Sequence, residues 1–345
     1  MHCFSNILND DYIFLLTDDT GMLQHSKFSL PDPEHGYVTE DNARALIMAL
    51  MLYEKYKKKK YLNLVYRYAS FLLNAQNENG RFKNFMRYDR KWLEEEGTED
   101  CFGRCLWALG FALSNLHTPN GVKQGLLYML NRAMPHVTVL NSPRSKAYCI
   151  IGLAHLEGGN ISRLIFETAQ TLCRQYDEYR DGEWKWFENV LTYGNYVLPW
   201  SLIKAYRVTG ENKFLEVAIE SLEFLNGITF RKEYFKPIGC HGWLAKGATP
   251  AEFDEQPVEA CEGFLTCLEA YEATNQRSYL QKAIKCYEWY AGFNSKGVCL
   301  IDTECGGCYD GLTKEGINMN MGAESLISYV ISYIKISDFI QTAHR

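Results

Sequence analysis

The hydrophobic positions of this chain fall into long stretches of two kinds that alternate along its length. From Ala43 to Tyr53 almost every residue is apolar, as expected of a helix buried on all sides. From Tyr61 to Gln76 the apolar positions follow a helical period, with Arg67 and Asn74 on a polar side. The alternation continues as Cys101 to Leu116 then Gly121 to Pro135, and Pro143 to Leu156 then Ile161 to Tyr176. It resumes at about Tyr196 to Val208 then Asn212 to Asn226, and Pro257 to Ala273 then Ser278 to Phe293. A sixth apolar stretch runs from about Met321 to Ile336, its outer partner being either the C-terminal tail or the N-terminal segment. Each apolar stretch opens on polar residues: Thr39-Glu40-Asp41-Asn42, Thr98-Glu99-Asp100, Ser142-Pro143-Arg144, Tyr193-Gly194-Asn195, Asp254-Glu255-Gln256-Pro257 and Asn318-Met319-Asn320. Repeated units of this kind bury their apolar faces against their neighbours. The pattern predicts an all-α fold, an (α/α)6 toroid of six helical hairpins, forming one domain over residues 1–345. Residues 1–38 are read as an N-terminal extension packing near the mouth.

The connections are unequal. Inner-to-outer turns are short, as at Lys57-Lys60, His117-Asn120 and Thr209-Glu211, whereas Asn77 to Gly97, Asp177 to Thr192, Gly227 to Phe253 and Asn294 to Ile317 are long. Long connections in a compact domain are usually functional. These lead into the N-terminal ends of the inner helices, where helix dipoles tolerate clustered carboxylates and favour anions. Thr39 and Thr98 are expected as N-caps, and Ser142 as an N-cap with Pro143 in the first helical position.

Composition narrows the function classes. A net charge of -6 leaves no electrostatic footprint for nucleic acid, and the basic run Lys57 to Lys60 reads as a solvated turn. The N-terminus lacks the pattern of a signal peptide, and no stretch reaches the ~18–20 apolar residues that span a bilayer. The twelve cysteines, several inside apolar stretches (Cys105, Cys149, Cys173, Cys267), read as reduced thiols of a cytoplasmic protein. Aromatic residues make up 14% of the chain, and ring faces that are not core stack well on sugars.

The candidate chemistry lies at the openings. Glu40, Asp41, Glu99 and Asp100 serve either dipoles and caps or function, and the recurrence of Thr-Glu-Asp with a following Arg (Arg44, Arg104) shifts the balance toward function, the Asp–Arg pairing either holding the carboxylate in place or being structural. In Asp181 to Asn189, aromatics interleave with carboxylates as a sugar subsite requires, and Glu188 beside Trp186 and Phe187 is the candidate proton donor. Asp254, Glu255, Gln256 and Glu259, with Asn318, Asn320 and Glu324, add carboxyl and amide groups at two further openings. Glu259 and Glu324 fall within apolar helices and require hydrogen-bonding partners. Cys305-Gly306-Gly307-Cys308 has knuckle spacing, but two thiols are half a structural zinc set and read as loop thiols. No P-loop is present, and neither a cofactor nor a metal is expected.

Several of these segments carry a resemblance. Leu16 to His25, Gly36 to Leu46, Trp186 to Asn189, Asp254 to Ala260, Gly306 to Leu312 and Asn318 to Ser325 resemble a bacterial family of six-hairpin glycosidase-like proteins. Its members often carry the label glycosyltransferase, because the same domain also occurs fused to one. The resemblance spans nearly the whole chain and implies an (α/α)6 toroid that works on carbohydrate, with no settled catalytic assignment to carry over. Gln is common in that family where this chain has Glu255.

The expected function is therefore a glycoside hydrolase acting on small oligosaccharides through two carboxyls. Inverting enzymes hold these about 6.5–9.5 Å apart. Glu188 is expected as the acid and Asp100 or Asp41 as the base, with Glu255 in reserve. Arg44, Arg104, Trp186, Tyr193, Asn195, His241, Trp243, Asp254, Gln256, Asn318, Asn320 and Glu324 are the residues expected to hold the sugar. Three alternatives stay open. A sugar epimerase usually needs a histidine pair, and with only His25, His35 and His241 in the connections at the mouth the sequence does not favour it. A zinc-dependent toroid similar to lanthionine cyclases would use Cys240-His241-Gly242, although the further cysteine of that motif normally precedes it and here Cys305 and Cys308 follow. The third is a non-catalytic glycan-binding domain associated with a glycosyltransferase.

Overall fold

The computed structural model describes residues 7–343. A short helix α1 (Asp11–Leu15) precedes the strands β1 (Leu23–Lys27) and β2 (Leu30–Val38). Then come α2 (Thr39–Tyr56), α3 (Lys59–Ala75), β3 (Phe85–Met86), α4 (Glu99–Ser114), α5 (Asn120–Ala133), α6 (Pro143–Leu153) and α7 (Gly159–Tyr179). The chain continues as β4 (Val190–Leu191), α8 (Val197–Thr209), α9 (Asn212–Thr229), β5 (Leu244–Ala245), α10 (Pro257–Thr274), α11 (Arg277–Glu288) and α12 (Ala323–Ala343). Two compact units result: Phe14–Ala169, and the described residues up to Ile13 together with those from Gln170 onward.

In the unit Phe14–Ala169, α2, α4 and α6 are buried along almost their whole length, and α4 packs against both α2 and α6. α3 and α5 cover them with one apolar face each. The α4–α6 crossing is close because glycine faces backbone: a Cβ on Gly110 would lie 2.0 Å from the Gly152 carbonyl oxygen, and one on Gly152 would lie 2.3 Å from that of Leu106. β2 pairs antiparallel with β1 and with β3, which lies in the long connection between α3 and α4. Alternation is weak in these strands, and the sequence reading of an all-helical chain did not include them.

In the other unit α10 packs against α8, α11 and α12, while α9 covers α8. β4 pairs antiparallel with β5, tying the connection before α8 to the one before α10. The N-terminal segment supplies part of the covering for α12: the Tyr12 hydroxyl donates to the Met321 carbonyl at 3.3 Å, and the backbone of Leu8 hydrogen-bonds Tyr333.

One cap differs from expectation. Thr39 is already helical, and Val38 occupies the N-cap position without a side-chain bond. β2 runs straight into α2, and the exposed amides are met from outside the helix. Asn84 accepts from the Thr39 amide with its carbonyl (2.8 Å) and from the Glu40 amide with its side chain (3.3 Å). Thr98 and Ser142 do cap α4 and α6, accepting from the amides of Cys101 and Ser145.

Candidate functional site

Within Phe14–Ala169 the N-terminal ends of α2, α4 and α6 converge through their own side chains. Glu99 accepts from the amides of Asn141 (2.8 Å) and Ser142 (2.6 Å), so it holds the segment that leads into α6. Asp100, one residue on and buried, accepts from the Ser142 hydroxyl at 2.8 Å. Arg104 on α4 donates to Glu40 on α2, and its guanidinium lies over the Tyr148 ring of α6, 4.8 Å from the centroid. Asp41 and Arg44, both buried, form an ion pair at 2.6 Å, and Arg44 also donates to the Glu40 carbonyl at 3.4 Å. Two carboxylate–guanidinium pairs and one carboxylate on a hydroxyl thus share one rim. The helix N-termini that meet there stabilise the excess negative charge.

The other unit holds a second set of openings. Tyr193 and Trp243 place their rings 6.5 Å apart, tilted at 47°, and keep 38% and 37% of their surface exposed. Glu259, in the first turn of α10, accepts from the Gly194 amide just before α8, which meets the requirement for a partner inside an apolar helix. Asp310 accepts from the Gly322 amide (2.6 Å) and the Ser325 hydroxyl (2.7 Å) at the start of α12. His241 Nδ1 lies 3.4 Å from Asp254 Oδ2 on the following loop.

Other expected site residues take up different positions. Trp186 has no exposed surface: its ring meets Phe187 edge-on and lies against Phe224, so it belongs to the core and offers no face to a sugar. Glu188 is half-buried, and its backbone carbonyl accepts from the Trp184 indole at 2.8 Å. Glu255 is wholly enclosed, accepting from the Trp289 indole at 2.9 Å and from the Ser295 hydroxyl. Burial pushes its carboxyl above the usual range, against the pull of those two hydrogen bonds and of Lys236 and Lys296. Asn195 spends its side chain on both backbone groups of Thr192, shaping the turn before α8. Asn318 accepts from the Asn320 amide at 3.2 Å, Gln256 occupies the N-cap of α10 without a side-chain bond, and Glu324 is half-buried in the first turn of α12. The Ser142 support of Asp100 and the approach of Asp254 to Cys240 and His241 are tertiary contacts that periodicity does not reveal.

No family model matches the chain, and no curated protein matches it in sequence. Solved structures do. The cellobiose 2-epimerase from Bacillus thermoamylovorans is similar with a TM-score of 0.73 at 12% identity, over 94% of this chain and 95% of that one. A D-mannose isomerase matches with a TM-score of 0.70 at 12% identity, over 95% and 96%. The GH76 α-mannanase of Bacteroides thetaiotaomicron matches with a TM-score of 0.67 at 10% identity, over 97% and 96%. The fold is all-α, of the (α/α)6 class.

On this six-hairpin framework the inner helices carry the polar openings at their N-terminal ends, in each unit taken by itself. Asp100 and Asp41 are anchored carboxylates suited to proton transfer or to gripping hydroxyls. Tyr193 and Trp243 are exposed rings suited to stacking. No helix among the described residues is long and apolar enough to cross a membrane.

Proposed function

We propose that this chain is a carbohydrate-active enzyme that hydrolyses a glycosidic bond in a small oligosaccharide. The observation that carries the reading is the rim of Asp100 on Ser142, Glu40 on Arg104 and Asp41 on Arg44. In it, rigidly held carboxylates face the N-termini of three helices. Support comes from the likeness in fold to a mannanase, an epimerase and an isomerase. Within Phe14–Ala169, Asp100 is the first candidate for a general base and Asp41 the second; in the other unit, taken by itself, Glu188 is a candidate acid. Glu255 drops out of this reading because its carboxyl has no surface. Arg104 and Arg44 hold the neighbouring carboxylates in place. In the other unit, taken by itself, Tyr193 and Trp243 offer a stacking face.

A second reading, sugar epimerisation or isomerisation, is favoured by the meeting of His25 and His35 on β1 and β2, with ring centroids 4.9 Å apart. Two imidazoles can remove a proton and return it.

The test is product chromatography after incubation with a panel of gluco-, manno- and uronate-containing oligosaccharides, with and without phosphate. Shortened products support hydrolysis, or phosphorolysis if they require phosphate. An altered monomer in an uncut chain, abolished by His25→Gln, supports epimerisation. Retention of a glycan without any product would support a binding domain of the kind that accompanies glycosyltransferases, and would overturn both enzymatic readings. Asp100→Asn, Asp41→Asn and Glu188→Gln assign the carboxylates one at a time. Loss of a general acid or base lowers turnover about 10²–10⁴-fold.

A further inference from the structure

Cys240, His241 and Asp254 offer a sulfur, an imidazole nitrogen and a carboxylate oxygen that all lie within 4.8 Å of one another, the one such grouping of three among the described residues. We propose that these three residues form a binding site for a zinc ion. The site departs from the sequence expectation of no metal, and it uses Asp254 rather than the Cys305 and Cys308 thiols as the companion of Cys240 and His241.

The geometry supports it on three counts. A tetrahedral zinc with a sulfur ligand near 2.3 Å and nitrogen and oxygen ligands near 2.0–2.2 Å sets its ligand atoms roughly 3.3–3.7 Å apart. The imidazole Nδ1 and the carboxylate Oδ2 are already at that spacing, 3.4 Å. The Cys240 sulfur lies within 4.8 Å of both of these atoms.

The loops are also held in register before any ion arrives. The amides of Gly239, Cys240 and His241 donate to the carbonyls of Ala251, Asp254 and Phe253 at 2.8, 3.0 and 3.1 Å. Gly239 permits this approach, since a Cβ there would sit 2.3 Å from the backbone of Phe253. The backbone pairing therefore fixes where the ligand-bearing residues stand, which lowers the ordering cost of binding.

The donor set matches the ion. A thiolate and an imidazole favour zinc over magnesium or calcium, and the thiolate with one carboxylate neutralises a divalent charge. His241 is 81% exposed, so a fourth position opens to solvent, the arrangement of a zinc that keeps a water or accepts a hydroxyl from a ligand. Trp243 and Tyr193 border the same loop.

The proposal stands apart from the carbohydrate reading, because metal content is measured without substrate. The full chain is equilibrated with zinc, dialysed, and analysed for metal. A parallel sample takes cobalt(II), whose visible bands report tetrahedral geometry and whose near-ultraviolet band reports a thiolate ligand. Stoichiometric zinc and a thiolate–cobalt band are expected in the parent protein. Cys240→Ser should lose that band, and Cys240→Ser, His241→Ala and Asp254→Asn should each weaken zinc by more than the ~10–100-fold typical of outer-shell changes. Circular dichroism checks that each variant is folded, and Cys308→Ser is expected to bind zinc like the parent. Absence of stoichiometric metal in the parent would overturn the site. So would undiminished binding by folded Cys240→Ser, or loss of binding on Cys308→Ser instead.

Discussion

Glu255 shows how one buried group can bear on the pH dependence of stability. Its carboxyl is enclosed by Trp289 and Ser295, and burial raises its pKa. A carboxyl with a folded-state pKa above its unfolded value binds its proton more tightly in the folded protein. Its contribution to stability therefore falls as pH rises from the ordinary glutamate value through the folded one. Glu255→Gln, which keeps an acceptor for the Trp289 indole, should flatten that decline. Thermal melts from about pH 4 to 8 check this, and parallel curves for parent and variant would contradict it. At the rim of the other unit, Glu40→Gln weakens the hold on the nearly buried Arg104. The cost is on the order of 2 kcal/mol, below the ~3–5 kcal/mol of a fully buried pair because Glu40 is partly exposed. Denaturant unfolding measures it.

Among the elements, the tightest constraint is the α4–α6 crossing. Gly110 and Gly152 face backbone there, so a methyl group on either requires the helices to part. Gly152→Ala should destabilise the protein by about 1–3 kcal/mol or more, the usual cost of overpacking, although alanine is the better helix former. A stability equal to or above that of the parent would show that the helices separate freely. Helix starts provide a gentler test. Thr98→Ala removes the cap of α4 and should cost about 1 kcal/mol. Thr39→Ala should cost less, because Asn84 rather than Thr39 meets the first amides of α2. The same logic explains the misplaced cap: a threonine before an apolar run is a sound local signal, but a strand entering the helix directly moved the boundary.

For the whole molecule, net charge sets an expectation independent of fold. At -6, with no basic face singled out along the chain, binding to duplex DNA should be undetectable near 0.15 M salt, since phosphate contacts supply essentially all non-specific affinity. A gel-shift titration checks this. The likeness to sugar-active structures, spanning more than nine-tenths of this chain at 10–12% identity, shows how far a six-hairpin framework persists while its chemistry changes.

The sequence by itself determined the helices and their alternation. A run such as Ala43 to Tyr53, apolar on every side, can only be buried, and the covering helices announce themselves by a single apolar face. It also located the polar openings, because carboxylates at helix N-termini obey local electrostatics. Tertiary structure decided which side chains at those openings are enclosed, which are exposed and which partners hold them. Trp186 and Trp243 read alike as aromatics in long connections, yet one has no surface and the other keeps 37% of it. Glu99 and Asp100 are adjacent, yet the first accepts from the amides of Asn141 and Ser142 just before α6 while the second accepts from the Ser142 hydroxyl. Asp254 lies thirteen residues beyond His241 and reaches it only because the intervening loop folds back. Burial and partner choice depend on what packs across the gap, and that is a property of the folded chain rather than of any window along it.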